Sequence, residues 1–404
     1  VEGLATKPFT AKDAYLNSFV KGELVNLSDS KPDPAPRIIQ PRSARYNVLV
    51  GCFLRPLEHK LYEAITEVFL RSGVGAGLQV VFKGINARQS ASILREKWLR
   101  PKNPEARGLD ATRFDQHVGP PALDWEHDVY LQCFPPHLRK TLAALLRLQL
   151  LNKGFVRCAD GAFSYQVRGG RMSGDMNTAM GNCLLSCAIV HRFAVEHNIP
   201  LELANNGDDC QLIYDRKYSK IVDTFGEWAL KYGFQIKMEQ PVHEFEQIEF
   251  CQTQPVLVAP NTWTMCRSPK KALAKDVIMK EASARTSTEE YRRWLKAVSD
   301  CGLALCEGVP VMESFYRMLA RHGLAGSYAG APRFEDSGFA RMARGVRKMG
   351  YHVTPAGRHS FWLAFGVAPD DQEVIERHFD GLVLDLSRRD GQSLTSTFHP
   401  LNFL

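Results

Sequence analysis

The sequence predicts an α+β protein divided into two or three subdomains. Three observations carry that expectation. Apolar residues recur at helical spacing in several stretches, other stretches alternate apolar and polar residues across turn dipeptides, and 404 residues exceed what one compact core holds. Hydrophobic residues make up 45% and charged residues 24%, the balance of an ordinary globular chain, which argues against disorder. The net charge of +7, from 51 basic and 44 acidic residues, permits nucleic-acid binding without demonstrating it.

In chain order, "SDSKPDPAPRIIQP" places four prolines within a dozen positions and forces an extended path. From Pro56, "PLEHKLYEAITEVFL" puts Leu57, Leu61, Ile65 and Val68 on one helical face, with the proline in the first turn. "VGAGLQVVFKG" reads as a turn into a short strand, and "NARQSASILREKWLR" as a helix capped by Asn86. Residues 121–153 are helical apart from a break at Pro135 and Pro136. "GFVRCADGAFSYQVRGGRMSG" alternates around Asp160-Gly161 as a β-hairpin does. "DMNTAMGNCLLSCAIVHRFAVEHN" is a long apolar helix closed by Asn198 and Pro200, and residues 217–233 form one more helix, followed by strand-like runs to about Val258. The last third carries helical patterns without a chemical motif.

The ten cysteines include no C-x-x-C pair, so neither a zinc ribbon nor a thioredoxin motif is available, and the usage fits a reducing compartment. Cys183 and Cys187 share a helical face and read as core. No stretch approaches the roughly 18 consecutive apolar residues of a membrane helix, and no signal segment opens the chain, which therefore reads as soluble. Val1 in place of Met suggests a processed product or a fragment, with any upstream targeting region out of view.

The chemistry concentrates in "ANNGDDCQLIYD" at 204–215. Two apolar runs flank a tight turn bearing Asp208 and Asp209. A turn needs one Asp or Asn with a Gly, and two carboxylates about 4 Å apart repel by roughly 4 kcal/mol at an effective dielectric near 20, so the second acid calls for a cation. Hard oxygen ligands suit Mg²⁺. "GLDATRFDQHV" adds Asp110 at a strand end and Asp115 five positions on; the plainer reading of Asp110 is a turn cap. In "GGRMSGDMNTAMGN", glycines precede a helix whose first turns carry Ser173, Asn177 and Thr178, side chains able to hydrogen-bond a ribose hydroxyl, while Ser173 or Asp175 serves equally as an N-cap.

The order "DATRFD", "SGDMNTAMGN", "NNGDD" resembles motifs A, B and C of viral RNA-dependent RNA polymerases. "RFDQHV", "SGDMNTAMGNCLL" and "EFCQTQPV" resemble the tombusvirus-like polymerases of positive-strand plant viruses, from about Pro36 to Val256, with the C-terminal third fitting by position only. The resemblance implies a right-hand fold: fingers at 1–107 with an insertion at 131–168, a palm with an antiparallel sheet at 108–130 and 169–258, and a mostly helical thumb at 259–404. It implies that Asp110 and Asp208, with Asp209 adjacent, bind two Mg²⁺ ions, Mn²⁺ being a substitute. Asp115 and Asn177 would read the ribose 2′-OH, helped by Thr178, and Ser173 and Gly174 would form a loop touching template and nucleotide. "PRIIQPRSARYN" resembles motif F, whose Arg37, Arg42 and Arg45 would clamp the triphosphate. Phe250, Cys251 and Gln252 match the motif E turn that supports the growing strand's 3′ end. For motif D, "KYGFQIKME" offers Lys231 and Lys237, the second preferred.

The implied activity is primer-independent, RNA-directed RNA synthesis from ribonucleoside triphosphates on an RNA template. The implied setting is a membrane-associated complex in the host cytoplasm, with auxiliary viral and host proteins, and anchoring from outside this segment. A reverse transcriptase and a non-catalytic RNA-binding protein that keeps the polymerase fold are the alternatives.

Overall fold

Among the residues that the computed structural model describes (8–23, 35–158, 160–279, 287–326 and 338–386), the strands form two four-stranded sheets and one hairpin. The first part of the proline-rich run, through Pro34, lies outside the described residues. The chain divides into two units, Val1–Val81 with Arg107–Gln240, and Phe82–Ala106 with Pro241–Leu404.

In the first unit, β1 (Leu16–Val20) pairs antiparallel with β2 (Ile38–Ile39) and parallel with β4 (Leu151–Cys158), and β4 pairs with β5 (Gly161–Arg168) in the expected hairpin register, Cys158 facing Gly161. Leu16, Ser18, Asn152, Gly154 and Val156 face inward, while Phe19, Lys153, Phe155 and Arg157 face out. The second sheet has the order β6-β7-β3-β8, with β3 at Pro104–Ala111, β6 at Leu201–Asn205, β7 at Cys210–Asp215 and β8 at Ile236–Met238. β6 is buried at every position and β7 at all but Asp215, as expected of strands covered on both faces.

Helix α1 (Ala44–Arg71) is longer than the sequence suggested: Ser43 accepts from the Tyr46 N–H at 3.2 Å and starts it twelve residues before Pro56, which sits inside the helix. Its buried stripe runs Tyr46, Val50, Leu54, Leu61, Tyr62, Ile65 and Phe69, whereas Val68, expected in the core, is half exposed. α2 (Pro120–Gln132) and α3 (Pro136–Arg147) flank the expected break at Pro135 and Pro136, but the helix expected to reach 153 ends at Arg147 and β4 takes over at Leu151. α4 (Thr178–Glu196) is long and apolar enough to meet the criteria for crossing a bilayer, yet 67% of the relevant window is buried in this unit's own core. There Phe193 packs against Phe225 and Trp228 at centroid distances of 5.0 and 5.2 Å, and Cys183 and Cys187 are buried as free thiols. The single helix expected at 217–233 is instead a chain of short turns ending at Gly233, whose φ of +83° stops it.

In the second unit, the helix Ala87–Trp98 has the Asn86 cap, reinforced by reciprocal bonds with Gln89. It packs on the hairpin of β9 (Thr253–Ala259) and β10 (Thr262–Arg267), with Arg95 stacked over Phe245 and Trp263. From Pro269 the described chain is helical; Thr288–Leu305 and Met312–His322 lie close enough that a Cβ on Gly302 would meet the Tyr316 ring at 2.2 Å.

Candidate active site

β3, an inner strand of its sheet, carries Asp110 as its last but one residue, exposed there and followed by the helical turn Phe114–His117 that holds Asp115. β8 runs antiparallel beside it in the register Leu109–Met238, Asp110–Lys237, Ala111–Ile236, so Lys237 stands directly across from Asp110 on the same face. Lys231 lies in the short turn Leu230–Tyr232 before that strand. The β6–β7 tip is built by Asn205, fully buried: its side-chain amide donates to the Gly207 carbonyl at 2.7 Å and its amide oxygen accepts from the Gly207 N–H at 3.2 Å. Gly207 takes φ +97°, a conformation costly for other residues. The lock leaves Asp208 exposed, beside a void of only about 10 Å³ lined mainly by apolar side chains such as Leu109 and Ala111. Burial, with Asp209 and Asp208 nearby, pushes the Cys210 thiol far above its ordinary range.

Among the described residues the side chains of Asp110 and Asp208 have no hydrogen-bond or ion-pair partner. No group of three or more His, Cys, Asp or Glu residues there is close enough to enclose an ion, so the expected trio of Asp110, Asp208 and Asp209 is not a closed cage. The donors still fit Mg²⁺, which takes one or two carboxylates and completes its shell with water and substrate phosphates.

The sugar-side residues fall differently from the sequence expectation. Asp115 has both carboxylate oxygens engaged: Ser173 Oγ donates to Oδ2, and Asn182 Nδ2 donates to Oδ1 at 2.8 Å. Asn177, expected beside Asp115, is fully buried, donating to Glu126 Oε1 at 2.8 Å and accepting from Gln149 Nε2 at 2.9 Å. The reason is helical phase. Asn177 precedes the first helical residue, whereas Asn182 lies one turn after Thr178 on the face turned to Asp115. The spacing from Thr178 to Asn182 was the sequence signal that could have found it. Thr178 itself spends its hydroxyl on the carbonyls of Met172 at 3.0 Å and Asp175 at 2.9 Å, bracing the loop. Gly174 lies against the Gln40–Pro41 backbone, where a Cβ would come within 2.8 Å of the Pro41 nitrogen, and the Gln40 N–H donates to the Ser173 carbonyl at 3.2 Å.

The three arginines separate as well. Arg37 is mostly exposed, 3.6 Å from Glu23. Arg45, in the first turn of α1 rather than an extended segment, lies 3.6 Å from Asp13. Arg42, expected to clamp phosphate, is buried and saturated: it binds both carboxylate oxygens of Asp175, the Asn152 side chain, and the carbonyls of Ala14 at 2.7 Å and Leu148 at 3.2 Å. Its donors are therefore committed within the fold. Arg171 forms a second buried pair, with Glu126; burial works to lower its pKa, but the adjacent carboxylate outweighs that and holds it above the ordinary value.

In the second unit, Phe250 and Thr253 exchange backbone hydrogen bonds of 2.9 and 3.1 Å around Cys251 and Gln252, both with positive φ (53° and 61°), the pattern of a type I′ turn. Phe250 is buried against Phe82, ring centroids 5.2 Å apart. A non-glycine residue there costs on the order of 1 kcal/mol. Gln252→Gly is expected to raise stability by about 0.5–1 kcal/mol in thermal unfolding; an unchanged or lowered midpoint would show that the turn carries no such strain.

This chain belongs to the viral RNA-dependent RNA polymerase family, whose model matches residues 1–387. Among its relatives, the RNA-directed RNA polymerase of tobacco necrosis virus (strain A) is 41% identical over 387 residues, 96% of this chain and 52% of the relative. That of melon necrotic spot virus is 43% identical over 390 residues, 95% and 47% of the two chains. The turnip crinkle virus enzyme is 40% identical over 389 residues, 95% and 48%. The chain thus spans about half the length of these curated relatives.

Proposed function

We propose that the chain is the nucleotidyl-transfer portion of a plant-virus RNA-directed RNA polymerase, joining ribonucleotides on an RNA template. Apart from family membership, one observation carries the reading: Asp110 and Asp208 are exposed, have no side-chain partner among the described residues, and lie at the end of β3 and at the neighbouring hairpin tip. Two such carboxylates at adjoining strand ends offer the hard oxygen donors that a divalent cation takes. A divalent cation held there, or two in the two-metal form, supplies Lewis-acid stabilisation of phosphoryl oxygens when bound. Asp110 and Asp208 hold it, with Asp209 behind the tip. Asp115 accepts from the ribose 2′-OH, with Asn182 taking the position first given to Asn177. Lys237, across the sheet from Asp110, is favoured over Lys231 to meet the charge of the leaving pyrophosphate. Arg37 and Arg45 remain for the triphosphate, without Arg42. Phe250 to Gln252 would support the growing strand, and the fold is read as fingers, palm and thumb.

An RNA partner is supported by the outward face of the β1–β4–β5 sheet. It carries Phe19, Phe155, Lys153, Arg157 and Arg168, and none of these three strands contains an acidic residue, which is the composition of a stacking surface for single strands. Primer-independent initiation, and a cytoplasmic, membrane-associated complex with auxiliary viral and host proteins, complete the reading. Incorporation of ribo- and deoxyribonucleotides on one RNA template tests it: strong preference for ribonucleotides is expected, preference for deoxyribonucleotides indicates a reverse transcriptase, and RNA binding without incorporation indicates a non-catalytic protein.

A further inference from the structure

We propose that the buried Arg171–Glu126 ion pair is a positioning device for sugar selection, fixing which way the Asn182 amide faces and thereby how Asp115 is held. The inference rests on the reading of Asp115 as the ribose-binding residue. An amide can be turned either way in its socket, and only one way presents N–H groups to a carboxylate. Arg171 decides it. Its Nε donates to Asn182 Oδ1 at 3.1 Å, which leaves Nδ2 to donate to Asp115 Oδ1 at 2.8 Å. With Ser173 on Oδ2, the Asp115 carboxylate is held from both sides, each oxygen keeping acceptor capacity for a ribose hydroxyl.

Arg171 is in turn fixed by Glu126, whose side chain is fully buried and bonds both terminal nitrogens of the guanidinium. Glu126 Oε1 is also held by Tyr130 Oη at 2.9 Å and Asn177 Nδ2 at 2.8 Å. Asn177 thereby acts on sugar choice through Glu126 rather than by contact. The helix is shaped to admit the pair: a Cβ on Gly181 would stand 2.3 Å from Arg171 Nη2 and 2.6 Å from either Glu126 oxygen, and the next residue is Asn182 itself. A buried ion pair contributes little net stability relative to an apolar replacement, so its value here lies in orientation.

Arg171→Lys tests this, because lysine keeps a charge opposite Glu126 and loses the fixed Nε donor. The ratio of ribo- to deoxyribonucleotide kcat/KM is expected to fall about tenfold, the worth of one hydrogen bond to a charged group, with template affinity unchanged. A purely structural role would lower both substrates together and leave the ratio at the wild-type value, which overturns the inference. Arg171→Met combined with Glu126→Leu removes both charges at similar volume and is expected to remain folded; a folded double variant with wild-type selectivity also overturns it. Asn182→Ala separates the two levels. If it lowers the ratio and neither Arg171 variant does, only the positioning role fails; if it leaves the ratio unchanged, the ribose-site reading fails as well.

Discussion

Asp208→Ala is expected to lower nucleotide incorporation by on the order of a thousandfold or more while leaving unfolding within about 0.5 kcal/mol of the parent chain. The side chain is exposed and has no partner among the described residues. The hairpin tip is instead held by Asn205, whose side chain bonds both backbone groups of Gly207. Removing Asp208 also relieves its repulsion with Asp209. Incorporation by the purified variant, measured beside its melting curve, decides the matter: synthesis near the parent rate would remove Asp208 from the site, and a large loss of stability would make it structural.

Arg42→Ala is expected to destabilise the first unit by about 3–5 kcal/mol. Asp175, buried in the loop that carries Ser173, would lose the one ion-pair partner it has among the described residues, and Asn152, Ala14 and Leu148 would lose donors together. Arg42→Lys keeps the charge without the planar fork that reaches these acceptors, so it is expected to recover less than half of the loss. Chemical denaturation of the three proteins checks this. If Arg42→Ala were as stable as the parent chain and instead weakened nucleotide binding, the residue would return to the phosphate clamp.

What the sequence disclosed and what it withheld follow from the range of the interactions. The hairpin tip was legible because Asn, Gly and Asp make a turn through bonds spanning a few residues, and the Asn86 cap was legible for the same reason. Arg42 was not, because its partners come from residues 14, 148, 152 and 175, and nothing local to "PRSARYN" distinguishes a buried guanidinium from a solvated one. The sequence motif points to Asn177 and passes over Asn182, with the helix expected from Asp175 where it begins at Thr178; each residue along a helix turns the side chain by about 100°. The pairing of Lys237 with Asp110 depends on the register of a strand of three residues, too short to carry a pattern. Pro56 suggested a helix start, yet the apolar stripe through Tyr46, Val50 and Leu54 continues across it, and packing outweighs the one lost hydrogen bond.

The most direct measurement is single-nucleotide addition by the purified chain on four RNA templates that differ in one base, with each ribonucleotide in turn, in the presence of Mg²⁺ and in chelator. Addition of the complementary ribonucleotide alone, on every template and only with the metal, is the predicted result. Addition that ignores the template base, or that persists in chelator, would contradict the assignment of Asp110 and Asp208 to template-directed, metal-dependent synthesis.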